Sequence, residues 1–494
     1  MLKIGWASRD VSTNAPVGIL GQRYERISTG SHDPTTVTAL VMEDGKDVVF
    51  FVSGDFTSFS DGILNEVRAA VKEKEPAIEA GKIILNATHT HTAPRYHYTS
   101  WYDKAPKDRV NIEDPQIYRD FLVENIADAV VEAYQKRAEG SFSYGYSEAP
   151  IGYQRRAVFF NDKGANNNFE NTFSVNGHGV MYGKTYQDDF SGYEGCLENN
   201  VNLLYTFDKE GRLTGAIINV SCPSQCTEHE TFTSADYWNE VRAMIREKHG
   251  DIFILPQCAA AGDLSPHLLQ GKEAFLRKSR MKYGEPEELK VFFQWERYYM
   301  RLAIAEKLAR AFDECLEWAA EEKITEAPVV HVVKKVPLEI WKITEEEYTK
   351  AKENYEELLK APFAETDNPK EDFKENTTIS SNLSRYENVI SRYERGIEVD
   401  RAEIHVLKIG EVAFTTCPFE LFLDYQHRVQ ARSPFEQTLM VQLAADENDS
   451  DGYLTTEKGA ANKGYSAIAF SCDISPAGGQ TLVEEMIATL KEIK

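Results

Sequence analysis

The sequence predicts an α/β protein: a mixed sheet built from βαβ units and flanked by helices. Three stretches carry that prediction. In each, an apolar run ends in small or polar residues, a segment of helical spacing follows, and a second apolar run leads into another polar cluster. The first has a strand at 47–53 ending in Gly54-Asp55, a helix at 61–74 carrying Ile63, Val67 and Val71, and a strand at 83–85. The second has a strand at 213–220 ending in Ser221-Cys222-Pro223-Ser224-Gln225, a helix at 236–248, and a strand at 252–255 that leads towards Gly262-Asp263-Leu264-Ser265-Pro266-His267. The third has a strand at 411–415 reaching Cys417-Pro418-Phe419-Glu420, a helix at 421–430, and a strand at 438–443 before Asp446-Glu447-Asn448-Asp449. Open sheets of this kind bind ligands outside the carboxyl ends of their strands. If the three units share one sheet, His89, His91, Cys222, Ser265 and Glu420 converge.

The remaining elements follow in chain order. Residues 1–45 read as a β-rich opening with turns at Gly18, Gly21 and Gly30. Asp114-Pro115 starts an amphipathic helix to about 137, with an aspartate cap and proline in the first turn. Residues 151–200, rich in Gly, Asn and Tyr, are too long for a simple connection and read as a pocket-forming loop. At its head, Arg155 and Arg156 are candidates to clamp a polar substrate. A long helix, or a broken pair, is expected over 286–322. From about 340 to 400 the chain becomes charged and helical, with a capping box at Thr344 and Glu347. Tyr348, Tyr355 and Leu359 share one helical face, and Tyr386, Ile390 and Tyr393 lie on a second helix. This insertion is expected to be a lid, a substrate wall or the contact of a homo-oligomer, with its tyrosines packing rather than binding.

The chemistry concentrates where the 83–85 strand runs into Thr88-His89-Thr90-His91 and stops at Pro94. Histidine is scarce, 11 in 494 residues, and His97 follows closely. Alternate residues of an extended chain point to one side, so His89 and His91 read as two imidazoles aimed at one ion or one reacting group. Lys and Arg total 55 against 79 Asp and Glu, a net charge of −24, which disfavours nucleic acid and anionic membranes as partners. No stretch approaches the roughly 18 apolar residues of a membrane span, and Arg9 and Asp10 interrupt any signal-like start. Seven cysteines at irregular spacing fit reduced thiols, so a cytoplasmic location is expected.

These residues resemble the catalytic domain of the neutral (non-lysosomal, alkaline) ceramidase family, zinc amidases that cleave N-acyl sphingosine. Ala87-Thr88-His89-Thr90-His91-Thr92-Ala93-Pro94 resembles the family's Thr-His-Thr-His-Ser-Gly-Pro block, whose first histidine binds zinc. Gly262-Asp263-Leu264-Ser265-Pro266-His267 is similar to its Gly-Asp-Val-Ser-Pro-Asn block, whose serine lies in the active site. Glu420 stands in the place of a zinc-binding glutamate, and Tyr453, in Gly452-Tyr453-Leu454-Thr455-Thr456, in that of a tyrosine that reaches the zinc. The resemblance implies one ceramidase-like domain over 1–494, without the family's further β-sandwich domain, and one zinc per chain.

One departure matters: where the family has a second metal histidine, after a strand, this sequence has Cys222 in Asn219-Val220-Ser221-Cys222-Pro223. A thiolate is a competent zinc ligand, so the expected set is His89, Cys222, Glu420 and Tyr453. The alternatives are that His91, His229 or Asp55 supplies the missing ligand, or that the site has lost its metal. His91 is the candidate for proton transfer, Ser265 with Asp263 for positioning or assisting attack, and Arg155, Arg156, His97 and Asp55 for substrate contacts. The expected reaction is hydrolysis of the N-acyl bond of a small soluble substrate other than ceramide. The competing expectations are an ester or acylated-sugar hydrolase on the same site, a non-catalytic metal or ligand-binding protein, and a Cys222-based hydrolase. Metallo-β-lactamase-like and amidohydrolase-barrel readings of His-x-His fail, because Ala93-Pro94 stands where the former needs Asp-His and eight βα units are lacking.

Overall fold

The computed structural model describes residues 1–98, 102, 104–163 and 177–494. Residues 164–176 of the expected pocket loop lie outside the described residues. In chain order the first half contains β1 (Lys3–Asp10), β2 (Thr36–Glu43), β3 (Val48–Gly54), α1 (Ile63–Lys74), β4 (Ile83–Ala87), α2 (Pro115–Gln135) and β5 (Ala138–Glu148). There follow β6 (Asn200–Asp208), β7 (Leu213–Val220), α3 (Trp238–His249), β8 (Phe253–Cys258) and α4 (Glu296–Ala319). The second half contains β9 (Val329–Glu339), α5 (Glu345–Leu358), α6 (Pro369–Arg395), β10 (Val399–Ile409), β11 (Val412–Thr416), α7 (Leu423–Gln430), β12 (Gln437–Val441) and α8 (Pro476–Ile493).

Strands β1 to β8 form one eight-stranded sheet in the order β8-β7-β6-β5-β1-β2-β3-β4, and β9 to β12 form a four-stranded sheet in chain order. All three expected βαβ units are present, each joining a parallel pair: β3 with β4, β7 with β8, and β11 with β12. They do not share one sheet. The first two close opposite ends of the large sheet and the third lies in the small one, because antiparallel hairpins separate them in the strand order.

Burial explains the layering. Strand β3, Val-Val-Phe-Phe-Val-Ser-Gly, is buried at every residue, as a strand covered on both faces must be. Phe50 and Val52 pack beneath α1 and α2, whereas Val49 and Phe51 face the second sheet, where Phe51 meets Phe414 at 4.8 Å between ring centroids. The other half of the large sheet is covered by α3 and α4, through Ile218, Val241, Ile304 and Leu308. The outer face of the small sheet is covered by α8, through Ile404, Val406, Leu482 and Met486. The result is helix, sheet, sheet, helix, with the two sheets sharing one apolar interior.

Polar hydrogen bonds draw the ends of the large sheet towards each other. Ser53 Oγ of β3 and Asn86 Nδ2 of β4 both donate to the Pro256 carbonyl of β8. The exit of β12 then bonds both edges: Ala87 N donates to Leu443 O (3.2 Å), Ala445 N to Leu85 O (2.8 Å) and Gln442 N to Cys258 O (3.0 Å). The carboxyl ends of the three units therefore meet, although they belong to two sheets.

The stretch expected as a long or broken helix is α4, preceded by a single 3-10 turn at Glu287–Val291. The charged insertion, α5 and α6, joins β9 to β10, and its capping box is formed by Thr344 and Glu347. Its tyrosines pack between helices, Tyr348 stacking on Tyr393 at 4.2 Å. No helix among the described residues is long and apolar enough to cross a membrane.

Phe414 is fully buried between the two sheets. Phe414→Ala is expected to lower unfolding stability by about 3–5 kcal/mol, read as a lower urea midpoint at unchanged slope. A change below about 1 kcal/mol would show that the sheets do not depend on this contact.

Candidate active site

His89 lies just beyond β4 with φ of 65°, in the left-handed region that non-glycine residues seldom enter. Its neighbours hold it there. Thr88 N donates to Gly54 O (3.0 Å), Thr90 N to Phe56 O (3.1 Å), and His89 Nδ1 to Thr57 O (2.6 Å). The two imidazoles therefore meet through a turned backbone rather than along an extended strand, edge to face with centroids 4.8 Å apart.

Because Nδ1 of His89 carries the proton given to Thr57, its Nε2 presents a lone pair. That nitrogen lies 3.4 Å from Glu420 Oε2 and 3.4 Å from His91 Nε2. Glu420 belongs to a two-residue strand, Glu420–Leu421, paired in parallel with Tyr453–Leu454, so Glu420 and Tyr453 stand side by side. Arg155 Nη2 reaches Tyr453 Oη at 3.3 Å and Glu420 Oε2 at 3.6 Å, and donates to Gly262 O at 2.7 Å. Burial alone would raise the Glu420 carboxyl, but the charged form of His89, with a proton on Nε2 in place of the lone pair, together with Arg155 and the Tyr453 hydroxyl, outweighs it and holds the group below its ordinary range.

Ser265 joins this cluster through Tyr182, whose hydroxyl is 3.3 Å from Ser265 Oγ and 3.4 Å from Arg155 Nη1. Asp263 works from behind. Its carboxylate accepts from Gln154 Nε2 (2.8 Å) and Leu423 N (2.9 Å), tying the residue before Arg155 to the helix after Glu420.

Cys222 is not brought to this group. Its thiol sits in the apolar layer beneath α3 and α4, 3.5 Å from Ile151 O, and burial pushes it well above the ordinary thiol range. Among the described residues, no trio of His, Cys, Asp or Glu ligand atoms within 4.8 Å of one another includes it. The physical reason is local: Cys222 N turns back onto Val220 O and the chain bends at Pro223, so a later residue, Gln225, faces the histidines. Gln225 Nε2 lies 2.7 Å from His91 Nε2.

The other named candidates fall elsewhere. Asp55 is fully buried and paired bidentately with Arg242 at 2.8 and 3.0 Å. Arg156 is spent on Glu194 at 2.7 and 2.9 Å, because successive residues of an extended chain face opposite ways. His97 is buried with its ring 4.7 Å from that of Tyr96, and His229 Nδ1 lies 3.3 Å from the Tyr24 hydroxyl.

The motifs give no role to Gln225, the last residue of the polar cluster after β7, and do not single out Glu228. Glu228 lies 3.9 Å from His91 Nδ1 and 3.4 Å from His267 Nδ1, and burial pushes its carboxyl up to about 6. Burial, with His89, Arg26 and Arg155 nearby, pushes His91 well below the ordinary imidazole range, so it is neutral at neutral pH. The amide of Gln225 donates to His91 Nε2, which leaves the proton of His91 on Nδ1, towards Glu228.

His89, Glu420 and Tyr453 line a cavity of about 430 Å³, with Ser381, Ser384, Arg385 and Asn388 of α6 as its opposite wall. A second cavity, about 300 Å³, is lined by Tyr182, Glu228, His267, Leu268, Phe275 and Arg297. The donors in the first fit a divalent ion. A tetrahedral site with bonds of about 2.0–2.1 Å has donors about 3.3–3.4 Å apart, the spacing of His89 Nε2 and Glu420 Oε2. With the Tyr453 oxygen they make three N/O donors, the number that a catalytic zinc site takes from protein.

A raised carboxyl stabilises the fold fully below its unfolded value of 4.5, and that contribution is lost as pH rises through about 6. In chelator-treated protein, Glu228→Gln is therefore expected to gain about 2 kcal/mol relative to the parent between pH 4.5 and pH values above 6. Denaturant titrations at the two pH values measure it, and a pH-independent difference would contradict the assigned environment.

No family model matches the sequence, and no curated protein is significantly similar to it. Solved structures are similar. Neutral ceramidase from Pseudomonas aeruginosa superposes with a TM-score of 0.67 at 18% identity, over 100% of this chain and 75% of that one. A ceramidase complexed with C2 gives a TM-score of 0.64 at 16% identity, over 100% of this chain and 76% of that one. The chain thus has the fold of the neutral ceramidases, a mixed α/β fold with a large mixed sheet.

Proposed function

We propose that the protein is a zinc-dependent amidase that hydrolyses the N-acyl bond of a small polar compound in the cytoplasm. The observation that carries this reading is the convergence of the His89 lone pair, the Glu420 carboxylate and the Tyr453 hydroxyl at one wall of one cavity. A zinc ion held there supplies a Lewis acid for the acyl carbonyl and lowers the pKa of a bound water from 15.7 towards about 7.

The chain's own groups supply the rest. His91 is neutral with an accepting Nε2, the form a general base needs, and Glu228 at its Nδ1 side supports the imidazolium once a proton is taken. Arg155 keeps Glu420 ionised and holds Tyr453 in place. Ser265, fully buried, holds the Tyr182 hydroxyl beside Arg155. Cavity chemistry supports a polar substrate over a lipid: Arg23, Arg385, Asn388, Asp451 and Asp473 line it, and a long alkyl chain there would take polar surface out of water. An N-acylated sugar or amino compound suits it, and an O-acyl ester on the same site is the nearest alternative. Seven free thiols suit a reducing compartment, and the net charge of −24 suits neither nucleic acid nor an anionic membrane as partner.

The turn of Cys222, which stands where the family has its second metal histidine, away from His89 and Glu420 favours one other reading, a protein that binds metal and ligand without turnover. A panel of N-acetylated sugars and amino acids, their O-acetyl counterparts and ceramide in detergent separates these readings. Chelation is expected to abolish hydrolysis and Zn²⁺ to restore it. His89→Ala is expected to lower kcat/KM by more than about 100-fold, the upper cost of losing even an outer-shell partner. Cys222→Ala is expected to retain activity. Turnover indifferent to chelators, or a preference for ceramide, would contradict the reading, and bound zinc with no turnover on any substrate would favour the binding protein.

A further inference from the structure

A second group of metal-ligating side chains lies away from the candidate active site. Cys196, in the loop before β6, places Sγ 3.5 Å from Nδ1 of His427 and 3.9 Å from Oδ1 of Asp424. Asp424 and His427 lie three residues apart in α7 and so share one face of the helix. Among the described residues, this is the trio of His, Cys, Asp or Glu whose ligand atoms all lie within 4.8 Å of one another.

The donors are spaced for an ion. Bonds of about 2.3 Å to sulfur and about 2.0–2.1 Å to nitrogen put the two donors of a tetrahedral site about 3.6 Å apart, close to the 3.5 Å seen here. The imidazole is also oriented for the task. His427 Nε2 is 3.3 Å from Glu198 Oε2, and a proton shared there leaves the lone pair of Nδ1 towards the thiol and carboxylate. Glu198 is itself fixed, with Oε1 accepting from Asn200 N at 2.9 Å. A carboxylate behind the imidazole is the outer-shell arrangement that metal-binding histidines use. Cys196 is moreover the exposed cysteine of the seven, so its thiol is open to an ion from solvent.

We propose that Cys196, Asp424 and His427 form a second metal site, for a borderline divalent cation of the Zn²⁺ class, that clips the loop at 195–199 to α7. Thiolate, imidazole and carboxylate together select such an ion over Mg²⁺ or Ca²⁺, and solvent completes the coordination. The clip acts where it matters for the active site. The loop is pressed inward at Gly195, where a Cβ would meet Gln154 Nε2 at 2.5 Å and Asp263 Oδ2 at 2.9 Å. Asp263 in turn anchors Leu423 N, three residues after Glu420.

Cobalt(II) tests the proposal, because thiolate ligation gives a sulfur-to-cobalt charge-transfer band that N/O donors do not. Full-length wild type titrated with Co²⁺ is expected to show the band, and His89→Ala to keep it. Cys196→Ser is expected to lose it, with far-ultraviolet circular dichroism confirming that the variant is folded. Zn²⁺ is expected to raise the melting temperature of His89→Ala but not that of His89→Ala/Cys196→Ser. No band in wild type would overturn the proposal. So would a band that survives Cys196→Ser and disappears in Cys222→Ser, which would place the thiolate at the other site.

Discussion

The exit of β12 is the constraint on which the rest of the molecule depends. Residues 442–445 hydrogen-bond to β4 on one side and to the end of β8 on the other, through Leu443 O, Ala445 N and Gln442 N. Those bonds bring the carboxyl ends of three βαβ units to one place, although the units occupy two sheets and opposite ends of the larger one. Leu443 takes φ of 53° to do so, a left-handed turn for a residue with a branched side chain. The strain is tolerated because Gln442 N, Leu443 O, Ala444 N and Ala445 N are each bonded to neighbouring segments.

Arg155 does electrostatically what those backbone bonds do geometrically. Its guanidinium is buried, and removing such an ion from water costs several kcal/mol unless carbonyls and carboxylates surround it. Here Gly262 O, Glu420 and the hydroxyls of Tyr182 and Tyr453 do so, from four separate segments of chain. Asp263 reinforces the same junction through Gln154 and Leu423. The wall opposite is contributed by α6, so the insertion between β9 and β10 determines the polarity that a substrate meets.

The βαβ units were legible in the sequence because each depends on local signals: an apolar run, a breaker, a 3.6-residue period and another apolar run. Their distribution over two sheets was not legible, since strand pairing is decided by contacts hundreds of residues apart, such as Phe51 on Phe414. At the site, His89 stood out by its motif and Glu420 and Tyr453 by family resemblance; their adjacency follows from a two-residue parallel pairing that no spacing announces. Cys222 looked like a ligand by its place in the chain, but a tight turn sends its thiol into the apolar layer and brings Gln225 to the histidines. Glu228 carried no sequence signal, because its raised carboxyl is a product of burial, with Asp236 adding to it, among groups distant in the chain. Arg155 and Arg156 were indistinguishable as neighbours, and alternation along the extended chain separates them into a site residue and the partner of Glu194.

On the proposed function, the active-site ion is held by nitrogen and oxygen, and Cys222 stays in the core. X-ray absorption at the zinc edge of the Cys196→Ser protein, in which the exposed thiol is removed, tests it most directly. A shell of N/O donors at about 2.0–2.1 Å is expected. A sulfur at about 2.3 Å would contradict it and return Cys222 to the coordination sphere, and protein that binds no zinc at all would contradict the metal assignment itself.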